Sequence, residues 1–184
     1  FYKEEEKEKI FNNVKEILNR LNKENIIKTA YKGIYYIPKT NIFGELPLAN
    51  SKIIQYKYLV DKFGNVKGYI TGAKLFNKVG LTTQVPNIID IVTNECKNNN
   101  KYANKYLNVA IRKPKIEINN ENYKYLQLID LIENKDKIYV EVDNMNEIIH
   151  NFIQENDLDF EKILKYARET NSKAVIEKMV ILAR

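Results

Sequence analysis

Cysteine and histidine are almost absent from this sequence, which has only Cys96 and His150 among its 184 residues. A single cysteine excludes an internal disulfide and any cysteine-rich zinc site. One thiol without disulfides is typical of a reducing compartment, so we expect a cytoplasmic protein. No run approaches the roughly 20 apolar residues needed to cross a bilayer, so we expect no membrane partner.

Familiar catalytic motifs are also missing. The sequence has no Gly-x-Ser-x-Gly elbow, no Walker loop and no dinucleotide-binding fingerprint. His150 lies in a helical pattern without a second histidine, and Cys96 has no histidine within its segment. We therefore predict a protein that is not an enzyme, with no catalytic residues, no cofactor and no bound metal.

One group of carboxylates leaves an enzymatic alternative open. Glu141 and Asp143 alternate on a possible strand, so that both would face one side, and Asp90 is the third member of the group. Carboxylates of this kind, with Lys113 and Lys115 elsewhere, could hold Mg²⁺ in a metal-dependent nuclease or a related nucleic-acid enzyme built on the second half of the chain. An exposed strand edge explains the same spacing.

A stripe of apolar residues near the N-terminus predicts a helix over residues 10–23. The stripe consists of Val14, Ile17, Leu18 and Leu21, which recur with helical spacing. The opposite face and its flanks are polar and comprise Asn12, Asn13, Lys15, Glu16, Asn19, Arg20 and Lys23. The charged run at 3–9, before this helix, is expected to be solvated.

Two short β-prone runs, 26–30 and 34–37, follow the helix. Gly33 permits a positive φ at the bend between them, so they predict a hairpin that Pro38 ends. A helix followed directly by a hairpin is the second half of a winged helix-turn-helix, and residues 11–40 carry six Lys/Arg against two Glu. A polar helix face can contact base edges in the major groove, whereas the hairpin tip at 31–33 can follow the backbone.

The rest of the chain predicts a second, mixed domain. Residues 41–50 lack periodicity and are predicted to link a partial winged helix at 1–40 to a domain at 51–184. Its predicted strands are 67–70, 88–93 and 106–112, with a turn at 98–101, and Ile116 and Ile118 are expected to extend a further strand. Its predicted helices are 51–61, 71–78, 123–132, 146–154, 159–169 and 172–183, with caps at Thr71, Asp159 and Ser172.

Several stretches resemble AbiEi-like antitoxins of type IV toxin–antitoxin systems. NVKEILNRLNKENIIK at 13–28 and KGIYYIP at 32–38 resemble the recognition helix and wing of that family. FGELP at 43–47, YITG at 69–72 and GLTTQVP at 80–86 resemble its second domain. The resemblance covers most of the chain, and the motif at 80–86 is the most distinctive.

The resemblance implies a transcriptional repressor of a toxin–antitoxin operon in phage abortive infection. Its implied partners are duplex DNA with operator inverted repeats, a nucleotidyltransferase-type toxin, and a second copy of the chain as a homodimer. The DNA contacts that it carries over are Asn12, Asn13, Lys15, Asn19 and Arg20 on the helix, and Lys28, Tyr31 and Lys32 in the wing.

The expected fold class is α+β, with a winged helix-turn-helix cut short at its N-terminus and a mixed α/β domain with a helical C-terminus. The family's supporting helices would lie before Phe1, so we expect the apolar stripe of the first helix to be exposed.

Charge divides the remaining chain into two surfaces of opposite sign. Residues 97–115 carry six Lys/Arg and no acidic residue, which predicts a second basic surface for nucleic acid or an acidic partner. Its members are Lys97, Lys101, Lys105, Arg112, Lys113 and Lys115. Residues 133–169 carry ten Asp/Glu against five Lys/Arg, so we expect other contacts than DNA there.

Overall fold

The computed structural model describes residues 4–182, and the chain divides into two compact units. The N-terminal unit ends at Lys57 and the C-terminal unit begins at Tyr58. The described residues form an α+β structure with seven α-helices and small sheets. None of the helices in this part of the chain combines the length and the apolar character that crossing a bilayer requires.

The N-terminal unit begins with a helix and a hairpin: α1 (Glu4–Lys23), β1 (Lys28–Tyr31) and β2 (Ile34–Tyr36). The two strands pair antiparallel, and Gly33 in their turn has φ +78°. The predicted helix and hairpin are therefore confirmed. The helix extends further toward the N-terminus than residue 10 and includes Glu4, Glu5 and Glu6 in its first turn, where acidic residues interact favourably with the positive end of the helix dipole.

A second antiparallel hairpin occupies much of the segment predicted as a linker at 41–50. It consists of β3 (Lys39–Asn41) and β4 (Gly44–Leu46). Every residue of both strands is exposed, so neither face needs the apolar alternation that identifies a strand in a sequence. The next helix, α2 (Asn50–Ile54), continues as a π-helical turn over Gln55–Leu59, and the division between the units falls within that turn.

The C-terminal unit combines a four-stranded sheet with five helices. The strands are β5 (Gly68–Thr71), β6 (Ile89–Thr93), β7 (Tyr102–Asn104) and β8 (Val109–Arg112). The helices are α3 (Gly72–Lys78), α4 (Tyr123–Glu133), α5 (Met145–Glu155), α6 (Phe160–Glu169) and α7 (Lys173–Leu182). The strand order is β5-β6-β8-β7, in which only β6 and β8 are parallel.

The middle of this sheet differs from the prediction. The turn at 98–101 leads into β7, which the sequence did not predict, and β8 then returns between β7 and β6. β7 lies at the sheet edge with Tyr102 and Ala103 exposed, so it lacks an apolar pattern. Ile116 and Ile118 lie outside the strands, so the further strand predicted there is wrong, and Ile118 is instead buried in the core.

Helix α4 is the centre of the core. All its residues from Tyr125 to Ile132 are buried, and β5, α3, α5, α6 and α7 pack around it. Two of the buried residues are polar and have partners on the sheet. The Gln127 amide nitrogen donates to the Ile70 carbonyl over 2.8 Å, and the Asp130 carboxylate accepts from the Arg112 guanidinium.

One of the three predicted helix caps is confirmed. The Asp159 carboxylate accepts from the Lys162 N–H over 2.8 Å, and Leu158 and Ile163 beside it are buried. The Thr71 side chain makes no cap bond to α3. The Ser172 hydroxyl is buried without a hydrogen-bond partner among the described residues, so it does not cap α7.

The Arg112–Asp130 pair joins the sheet to α4 inside the C-terminal unit. The Asp130 side chain is 5% exposed and the Arg112 side chain is 31% exposed. Burial raises the pKa of Asp130 above its ordinary value, although the Arg112 charge acts in the opposite direction. A carboxyl group with a raised folded pKa stabilises the fold below its ordinary pKa, and that contribution is lost as the pH rises.

Removing Arg112 should therefore destabilise the fold more at neutral than at acidic pH. We expect Arg112→Met to cost about 3 kcal/mol at neutral pH, the low end for a buried pair because the arginine is partly exposed. The loss should shrink as the pH is lowered from 7 to about 4, because an Asp130 with a raised pKa takes up a proton more readily than an ordinary carboxyl group and then needs no cation beside it. Urea unfolding at both pH values measures this effect. The double variant Arg112→Met/Asp130→Leu should be more stable than the single variant at neutral pH, and a double variant that is less stable would contradict the pairing.

Candidate nucleic-acid interface

The polar face of α1 is fully presented to solvent. Its five predicted contact residues are all exposed, and they are Asn12, Asn13, Lys15, Asn19 and Arg20. None of their side chains has a hydrogen bond or ion pair to another described residue. With 100° between successive residues, the five lie within about one half of the helix circumference. The face therefore offers amides for base edges and cations for phosphates on one continuous surface.

The three predicted wing residues differ in how they are held. Lys32 is exposed at the hairpin turn. Lys28 donates to the Asn25 side-chain oxygen over 3.0 Å and lies 3.5 Å from a Glu45 carboxylate oxygen, so its charge already has a partner. Tyr31 is half-buried, with the Lys57 ammonium 4.9 Å from its ring centroid. Of the three, Lys32 has the greatest freedom to approach a phosphate.

The apolar stripe of α1 is partly exposed, as expected. Val14 and Ile17 are each 48% exposed, whereas Leu18 and Leu21 are half-buried, and no residue of the helix is buried. Complete burial of the four side chains within this chain would have contradicted the expectation. The helix thus exposes part of its apolar stripe as well as its polar face.

The second basic surface is weaker than the sequence predicted. Three of its six cations are paired with carboxylates: Lys101 with Asp90, Arg112 with Asp130, and Lys115 with Glu133. The remaining three, Lys97, Lys105 and Lys113, are exposed. Pairing with a buried carboxylate keeps Arg112 in a structural role, so the cluster has less charge available for a polyanion.

The carboxylates proposed for a metal site do not converge. Asp90 pairs with Lys101, Glu141 binds a loop, and Asp143 is exposed on the coil after it. Glu141 and Asp143 lie outside the strands, so the predicted alternation is wrong. Nowhere in residues 4–182 do three His, Cys, Asp or Glu side chains lie where they could share a metal ion. His150 is exposed on α5, and Cys96 is buried.

The motif at 80–86 forms a turn that Glu141 holds in place. The Glu141 carboxylate accepts from the Thr82 hydroxyl over 3.0 Å and from the Thr83 N–H over 2.9 Å. The Glu141 N–H donates to the Leu81 carbonyl over 3.0 Å, and the Gln84 N–H donates to the Thr82 hydroxyl over 3.2 Å. The polar residues of this motif therefore serve the fold.

A shallow groove between α3, α4 and α5 was not predicted from the sequence. It has a volume of about 240 Å³, and its lining includes Leu75, Lys78, Lys124 and Phe152. Burial lowers the pKa of Lys124, and the neighbouring Lys78 charge lowers it further. The volume is below the roughly 300–1,000 Å³ of most small-molecule sites, so it gives little support for a catalytic pocket.

A second feature absent from the sequence prediction is the tip of hairpin β3–β4. Ile42 and Phe43 form its turn and are 92% and 90% exposed. The available signal was the presence of two large apolar residues between Asn41 and Gly44, where turn sequences are usually small or polar. The tip belongs to the same compact unit as α1 and the first hairpin.

Comparison with known families gives one match. A family model described as a family of unknown function, DUF6088, matches residues 8–170. The matched range includes most of α1, both hairpins and the C-terminal unit as far as the end of α6. No curated protein is similar to the chain in sequence.

Removing the negative charge of Glu141 should loosen the turn at 80–86. The hydrogen bond from the Thr83 N–H is the main cause of the lowered pKa of Glu141, and the side chains of Thr83 and Thr82 lower it further. The ionised carboxylate therefore stabilises the turn above its ordinary pKa, and this stabilisation is lost as the pH falls through the lowered pKa. We expect Glu141→Gln to raise hydrogen exchange at the Thr83 amide, measured by mass spectrometry on peptides. Glu147→Gln, at an exposed position on α5, is the control, and equal protection in both variants would contradict the assignment.

Proposed function

We propose that this chain, which belongs to the DUF6088 family of unknown function, is a DNA-binding regulator that contacts duplex DNA through α1 and hairpin β1–β2. The observation that carries the proposal is the exposed face of α1, on which three asparagines and two cations have no partner among the described residues. A helix followed by a hairpin is the arrangement with which winged helices enter a major groove and hold the adjacent backbone.

The chemistry of the two elements suggests a division of roles. Asparagine can donate to and accept from the edge of adenine, whereas lysine and arginine can contact guanine or phosphate. Asn12 and Asn19 are two turns apart on α1, so they can address different base pairs while Lys15 lies between them. Lys32 at the hairpin turn suits a phosphate, because a point charge on a flexible stem needs no fixed geometry.

A second part of the proposal concerns the toxin that the resemblance to AbiEi-like antitoxins implies. The acidic residues of the C-terminal helices point outward, and Glu155, Asp157, Glu161 and Glu169 are all exposed. This surface repels a polyanion and can attract a basic protein surface. We therefore assign the neutralisation of a nucleotidyltransferase-type toxin to the C-terminal unit and DNA binding to the N-terminal unit.

The alternative of a metal-dependent nuclease needs carboxylates that converge on one ion. The described residues give Asp90 and Glu141 different partners on different elements. That arrangement favours binding over hydrolysis as the function.

Substitutions on the helix and at the hairpin should have different effects on sequence preference. We expect Asn19→Ala to cost about 1–3 kcal/mol on duplexes selected by the unmodified chain from a random-sequence pool, with little change on unselected duplexes. Lys32→Ala should weaken both classes alike and reduce the salt dependence by about one counterion. Fluorescence anisotropy across a salt series measures both effects.

Lys173→Ala, at an exposed lysine of the C-terminal unit, is the matched control for lost charge and should leave both affinities unchanged. Equal losses on selected and unselected duplexes for Asn19→Ala and Lys32→Ala would contradict the division of roles. An unmodified chain without salt-dependent affinity for any duplex would overturn the proposed function.

Charge reversal on the acidic helices should weaken toxin capture without changing DNA binding. We expect Glu155→Lys/Glu161→Lys to reduce growth rescue when the chain is co-expressed with a nucleotidyltransferase-type toxin, because exposed charges mainly set the rate of encounter. DNA affinity of the purified variant is measured in parallel. Full growth rescue by the variant, or an equal loss of growth rescue and DNA affinity, would contradict this assignment of roles.

A further inference from the structure

The tip of hairpin β3–β4 exposes the two most solvent-accessible large apolar side chains among the described residues. Ile42 is 92% exposed and Phe43 is 90% exposed. Both strands of the hairpin are also exposed, so the tip does not cover a core. Single exposed apolar residues are common on protein surfaces. Two adjacent ones in the turn of an exposed hairpin instead form a small apolar patch at the end of that hairpin.

The turn itself does not require these residues. Its geometry is set by the neighbours, because the Asn41 side-chain oxygen accepts from the Phe43 N–H over 2.8 Å and Gly44 takes φ +109°. Glycine, asparagine or aspartate at the two central positions would suit such a turn and would expose no apolar surface. Isoleucine and phenylalanine there bury almost no apolar surface within this unit, and a partner that covers them would bury both.

The charge around the tip indicates the chemistry of that partner. Residues 25–57, which all belong to the N-terminal unit, contain five lysines and a single acidic residue, Glu45. Glu45 is paired with Lys28, so its charge is compensated within the hairpins. Lys39, at the start of β3, is exposed. An apolar tip within a cationic segment is complementary to a partner that combines negative charge with apolar surface accessible from one side.

Duplex DNA has both properties, since phosphates flank the flat faces of stacked bases. Apolar side chains such as phenylalanine and isoleucine can enter a base step from the minor groove and kink the duplex by roughly 20–90°. We propose that Ile42 and Phe43 are such a wedge, which inserts into a base step beside the site contacted by α1 while Lys39 contacts phosphate. The inference rests on the proposed function, because it assigns a further element to the same DNA complex.

The test replaces the wedge and leaves the charges intact. In the full chain, Ile42→Ser/Phe43→Ser removes the apolar tip, and Phe63→Ser is the matched control at an exposed turn of the C-terminal unit, where phenylalanine is 78% exposed. Both sites lack core contacts, so circular dichroism should show unchanged folding. The probe is a fluorescent duplex selected by the unmodified chain from a random pool, labelled at both ends for energy transfer and carrying 2-aminopurine at central steps.

The unmodified chain and Phe63→Ser should bend the duplex and raise 2-aminopurine fluorescence, which reports unstacking. The wedge variant should lose the bend and about tenfold in affinity, and keep the same salt dependence, because it loses apolar burial and no phosphate contact. Equal bending and affinity in the wedge variant would overturn the wedge and leave the proposed function standing. If the unmodified chain binds no duplex, the proposed function fails and the wedge fails with it.

Two further measurements test other occupants of the tip. Co-sedimentation with vesicles of anionic phospholipid, lost in the wedge variant while DNA binding is unchanged, would assign the tip to a membrane surface and overturn the proposal. A change in oligomeric state of the wedge variant in sedimentation velocity, again with DNA bending unchanged, would assign it to a second copy of the chain.

Discussion

Helix α4 can fold only if it is removed from water on nearly all sides. A helix that is apolar around its circumference has no solvated face, so other elements must enclose it. The sheet lies on one side through β5, and α3, α5, α6 and α7 supply the remaining contacts. The two polar residues that enter the core with it, Gln127 and Asp130, must then find partners on the sheet. Those two bonds fix how the helix lies along the strands.

This constraint also determines which cations are available elsewhere. Because Asp130 is buried, Arg112 forms an ion pair with it. The charge of this arginine is therefore not available to other partners of the basic stretch at 97–115. Asp90 and Glu133 engage two further lysines of the same stretch. On α1, by contrast, Lys15 and Arg20 have no ion-pair partner among the described residues. The net charge of a sequence segment does not show which of its cations are paired, because pairing depends on which carboxylates the fold places beside them.

The same distinction explains how much could be predicted. Periodicity located α1, whose apolar residues align on one face, and two short β-prone runs located the hairpin at 28–36. It missed β3, β4 and β7, whose residues are mostly exposed. The parallel pairing of β6 with β8 was also out of reach, since nothing local specifies that β8 returns between β7 and β6. For the candidate interface, the polar face of α1 followed from helical spacing alone. The ion-pair partners of Lys28 and Arg112 and the hydrogen-bond partners of Glu141 are distant in sequence, so they required the fold.

The exposed apolar residues of the N-terminal unit have two different physical origins. Those on α1 recur with helical spacing, and Leu18 and Leu21 at the end of the stripe are half-buried. Such a stripe is the packing face that any amphipathic helix has, so its presence alone does not indicate a ligand. Ile42 and Phe43 are adjacent in a turn, follow no period and have no buried neighbour in either strand of the hairpin. A packing role for the α1 stripe therefore does not extend to the tip, which the proposed wedge accounts for.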